Sequence, residues 1–143
     1  MRVSAKAEYA CIAMLALAAN QGAGQPVRVK VIADTHGIPL RFLVQILLQL
    51  KGAGLVASTR GAAGGYQLTR LPEAISLADV INVIDGDPTP RSDASALSGS
   101  RALHELRGVW QQIWAAEQRI LEQISLADLG RKMQPSGALS YEI

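Results

Sequence analysis

The stretch Val29–Leu68 constrains this chain more than any other. It reads as a short helix, a turn at Gly37, a second helix and a glycine-rich hairpin. In the second helix Leu40, Leu43, Val44, Leu47 and Leu50 recur at helical spacing, so one buried face is expected there. Arg41, Gln45 and Gln49 stand four apart on another face. A buried stripe opposite an Arg/Gln stripe, one turn after another helix, is how a helix-turn-helix offers side chains to a DNA major groove. Arg41 and Phe42 fall in the first turn, the end that enters the groove. An arginine there suits a guanine edge or a phosphate, and Gln45 an adenine edge. Pro39 is expected in that first turn, where its missing N–H has no partner to lose.

The hairpin follows as two short strands, Leu55–Thr59 and Gly65–Thr69, joined through Arg60, Gly61, Ala62, Ala63 and Gly64. A glycine loop can cradle a nucleotide phosphate, but this one joins two strands, lacks a Lys-Ser/Thr ending and opens no helix. It fits a wing instead. Gly61, Gly64 and Gly65 let the backbone approach DNA closely, and Arg60 at the tip can enter the negative minor groove.

Charge supports a polyanion partner for this half alone. Residues 1–70 carry eight Lys/Arg against two acids, whereas residues 71–143 carry six against ten. The halves are therefore +6 and −4, although the whole chain is only +2. Arg2 and Lys6 add positive charge at the start of a first helix. Ser4 caps that helix, which runs to about Asn20 with Tyr9, Ile12, Ala13 and Ala16 on its core face. A phosphate near that helix start would offset both cations and the dipole.

Beyond the hairpin, Ser76 and Asp79 form a capping-box start for a helix whose buried face is Leu77, Val80, Ile81 and Ile84. Asp85 and Gly86 end it. Residues 87–100 (DPTPRSDASALSGS) have linker composition. A long helix then starts at Arg101. Leu103, Leu106, Trp110, Ile113, Glu117, Ile120 and Ile124 follow steps of three and four, and Trp114 and Leu121 widen the seam. Such a helix is roughly 36 Å long, more than one small domain covers. The seam is expected to pack on the first helix and on a second copy of the chain, giving a symmetric homodimer. Ile75-Ser76-Leu77-Ala78-Asp79 recurs as Ile124-Ser125-Leu126-Ala127-Asp128, the same helix-start chemistry used twice. A short last helix runs to about Met133, and 134–143 is a tail.

No apolar run approaches the roughly 20 residues of a membrane span. Ala10–Ala19 has the pattern of a core helix, not of a signal sequence. A cytoplasmic protein is expected. The single cysteine, Cys11, excludes an intramolecular disulfide and a cysteine-rich metal cage, and it reads as a small core residue. His36 has no second ligand at metal spacing, so no metal site and no cofactor is expected. No paired catalytic constellation is visible, so the chain is not read as an enzyme.

The start MRVSAKAEYA, the pair IADTHGIPLRFLVQIL, the hairpin GLVASTRGAAGGYQL and the helix ISLADVINVIDG together resemble the Rrf-two family of bacterial winged-helix transcription regulators, of the IscR, NsrR and CymR type. The match is close over residues 1–86 and loose over the long helix. The resemblance implies a homodimer binding an imperfect palindrome in a promoter, and the chain is expected to act there as a sequence-specific transcription regulator, a repressor first. It places Arg41, Gln45 and Arg60 near bases, and Ser4 and Lys6 near the phosphate backbone. The full candidate DNA-contact set is Arg2, Ser4, Lys6, Arg28, Lys30, Pro39, Leu40, Arg41, Phe42, Gln45, Arg60, Gly61, Gly64 and Gly65. Many members hold an iron–sulfur cluster on three cysteines before the long helix. This chain has only Ser92, Ser95, Ser98 and Ser100 there, and the lone imidazole of His104 cannot hold a cluster. Family members also often carry serine where Pro39 and Arg41 stand and an acid where Val44 stands, which implies a different target sequence. The expected fold is mainly α: a winged helix-turn-helix domain over 1–86, a linker over 87–100, and a dimerisation helix with a short terminal helix over 101–133. The alternative reading is a regulatory protein whose signal arrives through a partner protein or small metabolite bound at the dimerisation-helix region.

Overall fold

The computed structural model describes residues 2–86 and 99–134, so most of the expected linker and tail lies outside the described residues. Six helices are described: α1 (Ala5–Ala19), α2 (Val29–His36), α3 (Leu40–Gly52), α4 (Leu77–Asp85), α5 (Arg101–Gln123) and α6 (Leu126–Met133). Strands β1 (Val56–Thr59) and β2 (Gly65–Leu68) form a two-stranded antiparallel sheet between α3 and α4. The architecture is a mainly helical winged helix.

The helix starts follow their caps. The Ser4 hydroxyl accepts from the Ala7 amide at 3.0 Å. Ser76 and Ser125 each complete a reciprocal capping box, with Asp79 and Asp128. Ser100, in the expected linker, caps α5 by accepting from Leu103. Gly37 ends α2 at φ 68°, a left-handed geometry that glycine adopts without steric cost. Pro39 sits one residue earlier than expected, as the N-cap of α3, where its carbonyl accepts from the Leu43 amide.

One core joins the head and the last helix. Met14 of α1, Ile32 of α2, Leu43, Ile46, Leu47 and Leu50 of α3, Ile75, Val80 of α4 and Leu126 of α6 belong to it. The core face of α1 is rotated from the expected one. Ala7, Ala10, Ala13, Met14 and Leu17 are buried, while Tyr9, Ile12 and Ala16 pack at its margin. The core face of α4 is Ala78, Val80 and Ile81, with Leu77 and Ile84 only half-buried.

The two ISLAD segments pair with each other. Ser76 and Ser125 form an antiparallel bridge, with Leu77 donating to the Ile124 carbonyl at 2.8 Å and Leu126 to the Ile75 carbonyl at 2.9 Å. Ile124 is therefore extended backbone at φ −102°, ψ 112°, not the end of a helical seam. Placed by this bridge, α6 packs on α1 while α5 leans mainly on α4. The expected contact of the long helix with the first helix is thus largely supplied by α6.

Candidate nucleic-acid interface

Helix α3 hides Leu43, Ile46, Leu47 and Leu50, an i, i+3, i+4, i+7 stripe. Leu40 and Val44, expected in that stripe, are exposed instead, and Ile46 takes their place. At 100° per residue the face directly opposite the stripe carries Arg41, Gln45 and Leu48. Arg41, Phe42, Gln45 and Gln49 are all exposed. The helix thus holds Leu43, Ile46, Leu47 and Leu50 in the core and turns Arg41, Gln45 and Gln49 outward together with Leu40, Phe42, Val44 and Leu48.

The wing is built beside it. Register pairs Val56 with Leu68 and Thr59 with Gly65, leaving Arg60–Gly64 as the tip. Val27 adds a third backbone partner: its amide donates to the Tyr66 carbonyl at 2.9 Å, and the Tyr66 amide donates back at 2.8 Å. Gln21–Val27 has turn composition, with Gly22, Gly24 and Pro26, and nothing in it announces this bridge. Two of the wing glycines answer to internal crowding. A Cβ on Gly65 would stand 2.3 Å from the Val27 carbonyl oxygen, and one on Gly64 would stand 2.1 Å from that of Thr59. Gly64 is buried, whereas Arg60 and Gly61 are exposed at the tip. Lys51, in the last turn of α3, reaches Ser58 on β1 at 2.7 Å. That bond fastens the helix to the wing.

The remaining candidates surround this unit. Arg2, Arg28 and Lys30 are exposed and Lys6 is half-buried. Ser4 is already engaged: besides capping α1, its backbone amide and its hydroxyl both donate to the Asp85 carboxylate. This ties the start of the chain to the end of α4 and puts a negative charge at Ser4, a feature the sequence reading did not foresee. Cys11 lies half-buried on α1. Burial, with Glu8 and Asp85 nearby, pushes its thiol up to about 11.

Helix α5 presents a different surface. Leu106, Val109, Trp110, Ile113 and Ile120 are each 43–58% exposed along it. Leu103, Trp114, Glu117 and Leu121 are half-buried. An apolar stripe of this length is far more than scattered surface residues account for. Val109 joins the expected set, and Ile124 leaves it for the bridge.

A family model, Rrf2 (the Rrf-two family), described as "Iron-dependent Transcriptional regulator", matches residues 3–132. The chain belongs to the Rrf2 family. It is 42% identical over 131 residues to a candidate HTH-type transcriptional regulator of Mycobacterium tuberculosis, covering 90% of this chain and 81% of that one. It is 36% identical over 129 residues to the HTH-type transcriptional regulator CymR of Bacillus subtilis, covering 90% and 89%. The solved structure of that CymR, the global cysteine regulator of B. subtilis, superposes with a TM-score of 0.81 at 33% identity, over 94% of this chain and 99% of that one. The Rrf2 chain described here is accordingly a DNA-binding transcription regulator of winged-helix fold and not an enzyme.

The iron in the family's description finds no matching donor set in this member. One cysteine in 143 residues cannot supply a multi-cysteine cluster site, and that cysteine sits on α1 with a thiol that resists ionisation. Among the described residues no three His, Cys, Asp or Glu side chains are grouped to hold a metal ion. Nor is any helix among them long and apolar enough to cross a membrane.

Proposed function

We propose that this Rrf2 member is a cytoplasmic repressor that binds a palindromic promoter site as a homodimer, without an iron–sulfur cluster. The observation that carries the reading is the outward Arg41/Gln45 ridge of α3, fastened through Lys51 and Ser58 to a wing that ends in Arg60. In this reading Arg41 and Gln45 contact base edges in the major groove, and Arg60 with Gly61 follows the adjacent minor groove or backbone. Arg2, Lys6, Arg28 and Lys30 contact phosphates. Pro39, Leu40 and Phe42 line the entry of α3 into the groove. Gly64 and Gly65 shape the wing from within, and Ser4 acts through its bonds to Asp85. Residues 1–86 form the reading head, α6 packs into its core through Leu126, and α5 is the pairing helix.

The exposed stripe of α5 supports the homodimer. A second copy covers it best, since an isologous interface turns two heads toward two half-sites. A partner protein docked on the same stripe is the competing reading, and a metabolite in the groove of about 520 Å³ between α1 and α6 is a further route for a signal. Purified protein incubated with genomic fragments separates these. Enrichment of a symmetric site by a particle of twice the chain mass supports the homodimer. A stoichiometric heterocomplex that retains no DNA supports the docked partner.

A further inference from the structure

Leu40, Val44 and Leu48 are 48%, 40% and 54% exposed, and they stand four residues apart on α3. Four residues advance a helix by one turn and about 40°, so these side chains form one continuous ridge. It runs beside the Arg41–Gln45–Gln49 ridge, displaced by one residue. Among the described residues each of the three side chains keeps about half of its surface open. A leucine, a valine and a second leucine held in water along the reading helix call for an apolar occupant.

We infer that this ridge reads thymine, by packing against C5 methyl groups in the major groove. The inference rests on α3 being the DNA-reading helix. Two features select this occupant. First, the apolar ridge is continuous with an Arg/Gln ridge on the same helix, within the half of the chain that carries a net +6. A surface so flanked favours a polyanion over the apolar face of another protein. Second, the only apolar group that the floor of the major groove offers is the thymine methyl. Phosphates and the donor and acceptor edges of the other bases give Leu40, Val44 and Leu48 nothing to pair with. Arg41 and Gln45 then fix position by hydrogen bonds. The neighbouring ridge discriminates thymine from cytosine, which presents an amino group and no methyl.

The test starts from the site recovered by selection. Each thymine is replaced in turn by deoxyuridine, which deletes one methyl and leaves base pairing intact. At one to three positions per half-site affinity falls about fourfold, the ratio that accompanies loss of one buried methyl-sized group. Val44→Ser and Leu48→Gln, both at exposed positions, remove that discrimination at their own positions and leave it at the others. Replacing cytosine by 5-methylcytosine at a contacted pyrimidine recovers part of the affinity. Sequence-specific binding that is indifferent to deoxyuridine at every position overturns the inference and leaves the DNA-binding function standing. An unchanged thymine preference in both variants overturns it as well. Absence of any specific site overturns the function itself and the inference with it. A change of oligomeric mass in Val44→Ser or Leu48→Gln, with thymine preference kept, assigns the ridge to protein contacts.

Discussion

Ser76 and Ser125 face each other across an antiparallel bridge, so the two copies of one five-residue motif hold each other in place. Each copy starts a helix with its serine and aspartate while its backbone reaches the other copy. Leu126 thereby enters the core of the head, and α5 is anchored at its end. Replacing Leu77 by proline removes one of these bonds and sets the ring against the Ile124 carbonyl oxygen that accepted it. Position 77 opens α4, where proline is tolerated, and Ser76 is extended, as a residue before proline must be. Leu77→Pro is expected to be less stable than Leu77→Ala in urea unfolding by about 1 kcal/mol or more, one hydrogen bond plus the clash of the ring with the Ile124 carbonyl. Ser125→Ala is expected to lose about 1 kcal/mol through its cap. Equal stability of the Pro and Ala variants would remove the bridge from the account of α6.

The wing glycines make a separate prediction. Gly65 has φ 152°, and added Cβ atoms at Gly64 and Gly65 would strike backbone oxygens, not movable side-chain ends. Gly64→Ala and Gly65→Ala are expected to lower stability by about 1–3 kcal/mol, the usual cost of forcing atoms into a packed site. Thermal unfolding measures it. Unchanged midpoints would mean that the hairpin relaxes around a methyl group.

Cys11 carries a pH signature. Its thiol is raised in the folded chain to about 11 from an ordinary 9.0, by burial first and by Glu8 and Asp85 second. The folded state therefore keeps a proton that the unfolded chain gives up. The stability linked to it is fully present below about pH 9 and is lost as pH rises toward 11. Wild type should lose more stability than Cys11→Ala between pH 8.5 and 11, values chosen to span about that window. Thiol alkylation at neutral pH should be slow and should leave DNA binding unchanged. Parallel pH profiles for the two proteins would contradict this placement of the thiol.

Pairing through α5 predicts a change in mass. Ile113→Glu with Ile120→Glu puts two carboxylates into the exposed stripe. If a second copy covers it, association weakens by about 2 kcal/mol or more, as for buried interface anchors. Sedimentation reads the loss directly. An unchanged dimer would move the interface elsewhere.

The helix starts, the hairpin and the long helix were legible because each is a local signal. A serine three residues before an aspartate, a glycine cluster between alternating residues, and a three-four rhythm need no distant partner. The buried face of α3 was not so fixed. Leu40, Leu43, Val44, Ile46, Leu47, Leu48 and Leu50 offer more apolar positions than one face holds, so packing chose the phase. The same holds for α1, which is apolar almost all round. Ser4 with Asp85, Val27 with Tyr66 and Ser76 with Ser125 are long-range pairs, and no rhythm in the chain announces them. Among the candidate contacts, Arg41, Gln45 and Arg60 were legible as polar residues on an otherwise apolar helix and at a hairpin tip. The exposure of Leu48 was not legible, because a leucine on a helix rich in buried leucines looks like core.

Arg60→Ala is expected to weaken specific binding by about 1–3 kcal/mol, the range for a good base contact. Binding of the parent protein should fall steeply with salt, in proportion to the phosphates it neutralises. An unchanged affinity for the variant would take the wing tip out of the interface.

The most direct measurement is selection of genomic fragments by the purified chain at low salt, followed by the mass of the complex. A symmetric site is expected, with half-sites about one helical turn apart, held by two copies of the chain. Recovery of no enriched sequence, or of an asymmetric site bound by a single copy, would contradict a paired reading head built on α3.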